Sequence, residues 1–402
     1  MTHSRNARVK TQKLKGIELF AGGGGLLLGS SKAGINHVIA SEWDMWACQT
    51  MRENSSNGHP LIRGVRILEG DVRDVKWTEH AQPGEIDVVT GGPPCQPFSL
   101  GGLARSADDP RDMFPAATSV IEKLMPRAFV IENVKGLTRS TFADYFEYVK
   151  LRLSHPELRS REGELWHEHY ARLEKEHLHV HSDLRYKVVS RLVNAADYGV
   201  PQHRHRVFLI GFRDDVDADW EFPTQTHSGK ALATAQADGS YWEEHRIPEK
   251  DRVPIRNRAE EDGLKRWRTV RDALQDLPDP TTGSSTDWPD HDFRPGAKIY
   301  PGHNGSPIDA PSKALKAGAH GVPGGENMIR FPDGSVRYFT VREAARIQTF
   351  PDDYVLHGAW GEVMRQLGNA VPVELAHIVT SSVHKSLTRR EKVTHESSLQ
   401  VI

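Results

Sequence analysis

The sequence predicts an α/β fold of the Rossmann type with an irregular insert late in the chain. Three observations carry that expectation. Gly16-Ile17-Glu18-Leu19-Phe20 is a short apolar strand that runs through Ala21-Gly22-Gly23-Gly24-Gly25 into a helical stretch over residues 27–33. Strand, glycine turn and helix in that order make the opening of a nucleotide-binding unit. Apolar strands recur at residues 37–41, 86–90 and 128–131, each ending in an acid or in glycine and proline. From 214 to 334, by contrast, prolines, glycines and tryptophans are scattered through polar sequence without periodicity. The chain therefore divides into residues 1–213, an insert at 214–334, and residues 335–402, where regular helical texture returns.

Composition narrows the setting. The 402 residues are 37% hydrophobic and 26% charged, ordinary for a soluble protein. A net charge of -2 leaves no global basic field, so any nucleic-acid partner must meet positive charge gathered on one face. Two cysteines, Cys48 and Cys95, point to a reducing compartment. No apolar run approaches a membrane span, and the basic start over residues 1–15 lacks the apolar core of a signal peptide. A cytosolic globular protein is expected.

Glycines in the first turn let a ligand approach the backbone, although such a cluster serves as a plain structural turn about as often. The second strand ends at Glu42, about twenty residues beyond the glycines, where an acid takes ribose hydroxyls. Trp43 follows and suits an adenine face or simple core packing. Asp71 closes a third strand, placed to accept from an exocyclic amine. Each acid alone also reads as a helix cap or solvated turn; three at successive strand ends favour an adenosine site.

The fourth strand stops at Gly91-Gly92-Pro93-Pro94-Cys95-Gln96-Pro97-Phe98-Ser99. Proline cannot extend the ladder, so Cys95 is delivered to the carboxyl edge of the sheet, without an evident disulfide motive. Residues 101–111 are small, polar and glycine-led, a surface loop or a lid beside a nucleophile. The next strand ends in Glu132, a carboxylate expected to titrate high through desolvation and to act as an acid near neutral pH. Five histidines between His167 and His181 invite a metal reading, but no cysteine joins them and a solvated helical excursion explains them as well. Alternation places Arg204 and Arg206 on one face at the start of a strand, as a grip on a phosphate or base carbonyl, or as a surface salt-bridge pair. Further on, Thr340 and Glu343 form a capping box, a last amphipathic helix runs to about Leu387, and the tail from Thr388 should fray.

A thiol, a buried acid and an arginine beside an adenosine pocket suit one problem. Cytosine C5 is a poor nucleophile until a thiolate adds at C6 and N3 is protonated. Cys95, Glu132 and Arg206 match the thiolate, the acid and a donor to the base O2. The base must leave its stack to reach them.

These blocks resemble the DNA (cytosine-5) methyltransferase family over nearly the whole chain. The likeness lies in Glu18-Leu19-Phe20-Ala21-Gly22-Gly23-Gly24-Gly25, in Gly92 to Ser99, in Glu132-Asn133-Val134 and in Gln202-x-Arg204-x-Arg206. It continues in Thr340-x-Arg342 to Pro351 and in Gln366-x-Gly368-Asn369-Ala370-Val371-Pro372. The resemblance implies a Rossmann-like S-adenosylmethionine-dependent methyltransferase fold with the insert as a loop-rich target recognition domain. It implies S-adenosyl-L-methionine as cofactor, contacted by Phe20, Gly22, Gly24, Glu42, Trp43, Asp71, Val72, Pro93, Asn369 and Val371. Catalysis is implied for Cys95, Glu132, Arg204 and Arg206, and DNA contact for Ser99, Arg105, Arg111 and Gln202. Double-stranded DNA is the implied partner, with a cognate restriction endonuclease beside it, no metal, no membrane and a monomeric chain. Val373 departs from a second proline common in the family, and the histidine-bearing stretch is longer than in compact members. Two other readings stand at this point: the same chemistry on RNA, and a nicotinamide-dependent oxidoreductase on the same first unit.

Overall fold

Apolar, β-branched runs in the first half assemble one sheet. The computed structural model describes residues 13–94, 112–177, 184–216, 218–253, 262–282, 288–317 and 327–399, with side chains as far as Arg389. The seven strands are β1 (Lys15–Leu19), β2 (Asn36–Glu42), β3 (Arg66–Glu69), β4 (Val88–Gly91), β5 (Ala128–Val134), β6 (Tyr186–Asn194) and β7 (His205–Arg213). They lie in the order β3-β2-β1-β4-β5-β7-β6, parallel except that β7 runs against both its neighbours. The chain steps outward from β1 to β3 and then returns to the far side of β1 with β4. Doubly wound sheets open a ligand crevice at the strand carboxyl ends where the order reverses in this way. Ile17, Leu19, Val88 and Val89 are fully buried, as central strands covered on both faces require. Glu18, in the middle of that apolar set, is buried too.

Five helices cover the sheet in this half: α1 (Gly25–Lys32), α2 (Met45–Ser56), α3 (Phe114–Leu124), α4 (Ala143–Ser154) and α5 (Trp166–Glu176). Helix α1 begins two residues before periodicity placed it, because Gly24, left-handed at φ 95°, serves as its N-cap. A Cβ at Gly24 would lie 2.8 Å from the Tyr354 hydroxyl, so glycine is required there twice over. The histidine-bearing stretch forms α4, α5 and their connection, helical as expected but packed on the core along one face rather than wholly solvated. His169 is buried, bonded to the Tyr148 hydroxyl at 3.0 Å and to the Leu158 carbonyl at 2.9 Å. It is a satisfied core histidine, and a metal reading finds no cluster here among the described residues; His179 and His181 lie outside them.

The insert is irregular but not structureless. It holds β8 (His227–Ser228), α6 (Gly229–Asp238), α7 (Ser240–Glu244), β9 (Lys265–Arg266), α8 (Val270–Leu274), β10 (Ser306–Pro307) and β11 (Met328–Arg330). β10 pairs with β11, and β11 in turn with β12 (Val336–Tyr338), which lies past residue 334. Helix α6 escaped the sequence reading because its alanines leave little contrast between faces. Three helices close the fold: α9 (Val341–Ile347), α10 (Trp360–Asn369) and α11 (Val373–Leu399). The Thr340 and Glu343 capping box on α9 is present as expected. Helix α11 crosses α1 so tightly that a Cβ on Gly29 would fall 2.4 Å from the Ala376 Cβ, which joins the two chain ends. Its backbone stays helical to Leu399, where fraying from Thr388 was expected; arginine, glutamate and lysine beyond Leu387 are good helix formers.

Candidate active site

A cavity of about 660 Å³ opens at the carboxyl ends of β1, β2, β4 and β5, on the order reversal. Phe20, Ala21 and Gly22 line it from the turn after β1, Glu42 and Trp43 from the end of β2, and Asp71 and Val72 from the turn after β3. Gly92 and Pro94 close it beyond β4, Glu132 from the carboxyl-end half of β5, and Asn369 and Val371 from the other end of the chain. The Glu42 carboxylate accepts the Gly22 N–H at 2.7 Å and the Trp43 and Asp44 N–H groups at 2.9 Å. Burial raises its pKa, and these backbone donors hold it back. The result is an oriented acid on the cavity wall. Trp43 is 74% exposed, which excludes the core-packing alternative and leaves its indole face free for a flat ligand. Asp71 is held by Arg73, and Asp44 caps α2 while receiving Arg365 at 2.7 Å.

A nucleoside fits these groups. Its ribose finds an oriented carboxylate, its base finds an indole, and nothing lies within 4 Å of where a Cβ would stand on Gly22, so the turn leaves room for the chain that follows the sugar.

Glu132 marks the other end of the cavity. Antiparallel pairing sets it opposite Phe208 and sets Val134 opposite Arg206, so Glu132 and Arg206 are diagonal neighbours on one face. The guanidinium Nε lies 2.6 Å from the carboxylate Oε1. Burial raises the Glu132 pKa, opposed by the charges of Arg206 and then Arg204. A carboxyl raised by burial and steadied by a neighbouring cation is suited to hold a proton and give it up.

Several expected site residues are placed elsewhere. Arg204 does not face the cavity: it is buried, donating to the main-chain carbonyls of Leu315 at 3.1 Å and Gly368 at 2.5 Å. It ties the insert and α10 to the sheet, because a buried guanidinium must spend its N–H groups on acceptors nearby. Gln202 is fully buried and cannot reach DNA; it donates to Gln348 and accepts the Leu315 N–H, both at 3.0 Å. The shared grip that alternation suggested for Arg204 and Arg206 is therefore not made: Arg204 turns to main-chain carbonyls and Arg206 to Glu132. Gly24 supports Tyr354 and Pro93 accepts from the Asn133 amide, and neither lines the cavity. Cys95, Ser99, Arg105 and Arg111 lie outside the described residues, as does the 101–111 loop. Sequence reasoning missed Gly92, Arg365 and Glu18 on the cavity wall. Only Glu18 left a signal, being an acid inside a strand that should be apolar on both faces.

An α/β sheet with a nucleoside cleft and a buried acid at its carboxyl edge is the arrangement of an enzyme that works with a nucleoside-containing ligand. Comparison makes this particular. Residues 14–155 and 163–385 match the family described as C-5 cytosine-specific DNA methylase. The chain is 30% identical over 392 residues to the Type II methyltransferase M.PspPI of a Psychrobacter species, covering 94% of this chain and 81% of that one. It is 28% identical over 396 residues to M.MthTI of Methanothermobacter thermautotrophicus, covering 92% and 96%. Among solved structures, the Dnmt2 methyltransferase of S. pombe shares the fold at TM-score 0.57 and 17% identity, over 93% of this chain and 98% of that one. The methyltransferase EhMeth of Entamoeba histolytica does so at TM-score 0.54 and 13% identity, over 94% and 99%. The chain belongs to the C-5 cytosine-specific DNA methylase family. It is a DNA (cytosine-5) methyltransferase whose methyl donor is S-adenosylmethionine, and the readings as an RNA enzyme or an oxidoreductase fall away. Among the described residues no helix is long and apolar enough to cross a membrane.

Proposed function

We propose that this enzyme methylates a cytosine flipped out of double-stranded DNA at a short specific sequence, through a covalent bond between Cys95 and C6. The observation that carries this reading is the buried Glu132–Arg206 pair on the same cavity as the Glu42 cradle. Phe20, Gly22, Glu42, Trp43, Asp71, Val72, Asn369 and Val371 hold the cofactor, which supplies an electrophilic methyl group on a sulfonium. Cys95 follows Pro94 of the cavity wall directly in the chain. Its thiolate adds to C6 while Glu132 gives its proton to N3, so the C5–C6 electron pair becomes available at C5. Arg206 steadies the Glu132 carboxylate left behind and donates to the base. Once C5 carries the methyl group, its proton leaves to a base, the thiolate is expelled, and N3 returns its proton to Glu132.

Buried acid and guanidinium hold each other at 2.6 Å, so the pair is oriented before substrate arrives, which is how such groups lower a barrier. The insert reads the sequence around the target base; Ser99, Arg105 and Arg111 contact the DNA. The enzyme works as a monomer in the cytoplasm, as the modification half of a restriction-modification pair with a cognate endonuclease. Expression in a bacterial host free of DNA methylation, followed by mapping of 5-methylcytosine, tests the reading. Marks confined to one short motif are expected. Marks without a motif, or none, overturn it.

A further inference from the structure

Glu18 is a third buried acid on the cavity wall, beside Glu42 and Glu132, and takes no part in the chemistry above. Strand register pairs it with Ala40 of β2 on one side and Thr90 of β4 on the other. Its carboxylate accepts the Thr90 hydroxyl and stands 3.8 Å from Nε2 of His37. That ring is also held by Thr90 at 3.1 Å and by Ser30 and Ser31 at 3.4 Å. Burial pushes the His37 pKa down to about 3, so the imidazole is neutral and offers no positive charge. From β5, Glu132 offers no cation and, whenever it is ionised, opposes a charge on Glu18, while Arg206 is already committed to Glu132. Burial, partly offset by the Thr90 bond, pushes Glu18 up to about 8. The wall that must receive a cation thus holds an acid whose neighbours supply none.

We infer that Glu18 is the counter-charge to the methyl donor's sulfonium, releasing its proton to solvent when the charged cofactor binds and regaining one once transfer has left a neutral thioether. The inference rests on the cofactor placement proposed above. Charge balances throughout: the C5 electron pair forms the new bond to the methyl carbon, the old carbon–sulfur pair stays on sulfur, and a proton from water restores the carboxyl. The device favours donor over spent product at one site. Because binding expels a proton, affinity for the sulfonium rises as pH climbs toward about 8 and levels off above it. The gain is about tenfold for each unit by which the bound cation lowers the carboxyl pKa.

Calorimetric titration with S-adenosylmethionine and with its demethylated thioether, in buffers of different ionisation enthalpy, tests this between about pH 6 and about pH 9. Wild type should release a proton with the sulfonium in excess of any seen with the thioether. E18Q should lose that excess and show a donor-to-product affinity ratio flat in pH, and E18D should restore both. An E18Q protein that keeps the wild-type proton release overturns the inference. If E18Q does not fold, T90V replaces it: loss of the hydroxyl should move the midpoint above that of wild type, and an unmoved midpoint overturns the inference. E42Q tests the placement itself, since Glu42 also titrates high and faces the same ligand. It should weaken both ligands about tenfold at every pH. Wild-type affinities in E42Q would remove the placement, and the Glu18 inference with it.

Discussion

The carboxyl edge of the sheet and the insert hold their polar groups by different means. At the edge, backbone geometry dominates: Glu42 is gripped by three N–H groups, and Glu132 meets Arg206 because two antiparallel strands share a register. In the insert, side chains hold one another. Asp272 accepts Arg266 at 2.7 and 2.8 Å and lies 3.0 Å from His245, while Arg271 meets Asp309 at 2.6 Å. Guanidiniums also lie over rings, Arg294 over Trp360 and Arg346 over Trp288. A register cannot shift by less than a residue, whereas an ion-pair network re-forms around new partners. In the function proposed above, chemistry sits on the first kind of support and sequence reading on the second.

The comparison breaks most sharply at Cys95. Cys95→Ser should take methyl transfer below detection while DNA and cofactor affinities stay within about twofold; residual turnover near wild type would remove the thiol from the mechanism. Glu132→Gln should lower kcat by about 10²- to 10⁴-fold with the fold intact, read by single-turnover assay. The two neighbouring arginines should then separate. Arg204→Ala leaves two buried carbonyls without their donor and should cost about 3–5 kcal/mol in denaturant unfolding; Arg206→Ala should depress rate far more than stability. In the insert, Asp272→Asn should cost about 1–3 kcal/mol and blunt sequence discrimination, leaving cofactor affinity unchanged by calorimetry.

A last prediction concerns pH. Glu18 is raised from 4.5 to about 8 in the folded protein, so the native state binds the extra proton between those values. Its contribution to stability is fully present below about 4.5 and is lost as pH rises to about 8. The melting temperature should decline across that window, and E18Q should flatten the decline. An equal slope in both proteins would mean that Glu18 titrates normally.

What the sequence determined by itself was the succession of strands and turns and the identities at their ends. Proline and glycine stop a strand wherever it lies, and Gly91 to Pro94 did so before any partner strand was known. Glu42 and Glu132 were legible because a carboxylate closing an apolar run stands out against its surroundings. The tertiary structure alone decided between Arg204 and Arg206. Two residues apart, they carry the same local pattern, and only the arrival of Leu315 and Gly368 buries one while register hands the other to Glu132. Gln202 was misread for the same reason, since its partners lie 113 and 146 residues away. Glu18 is the counterpart. Its place in the strand was plain, but its charge depends on desolvation by β2, β4 and β5 together, and burial is a property that no residue has alone.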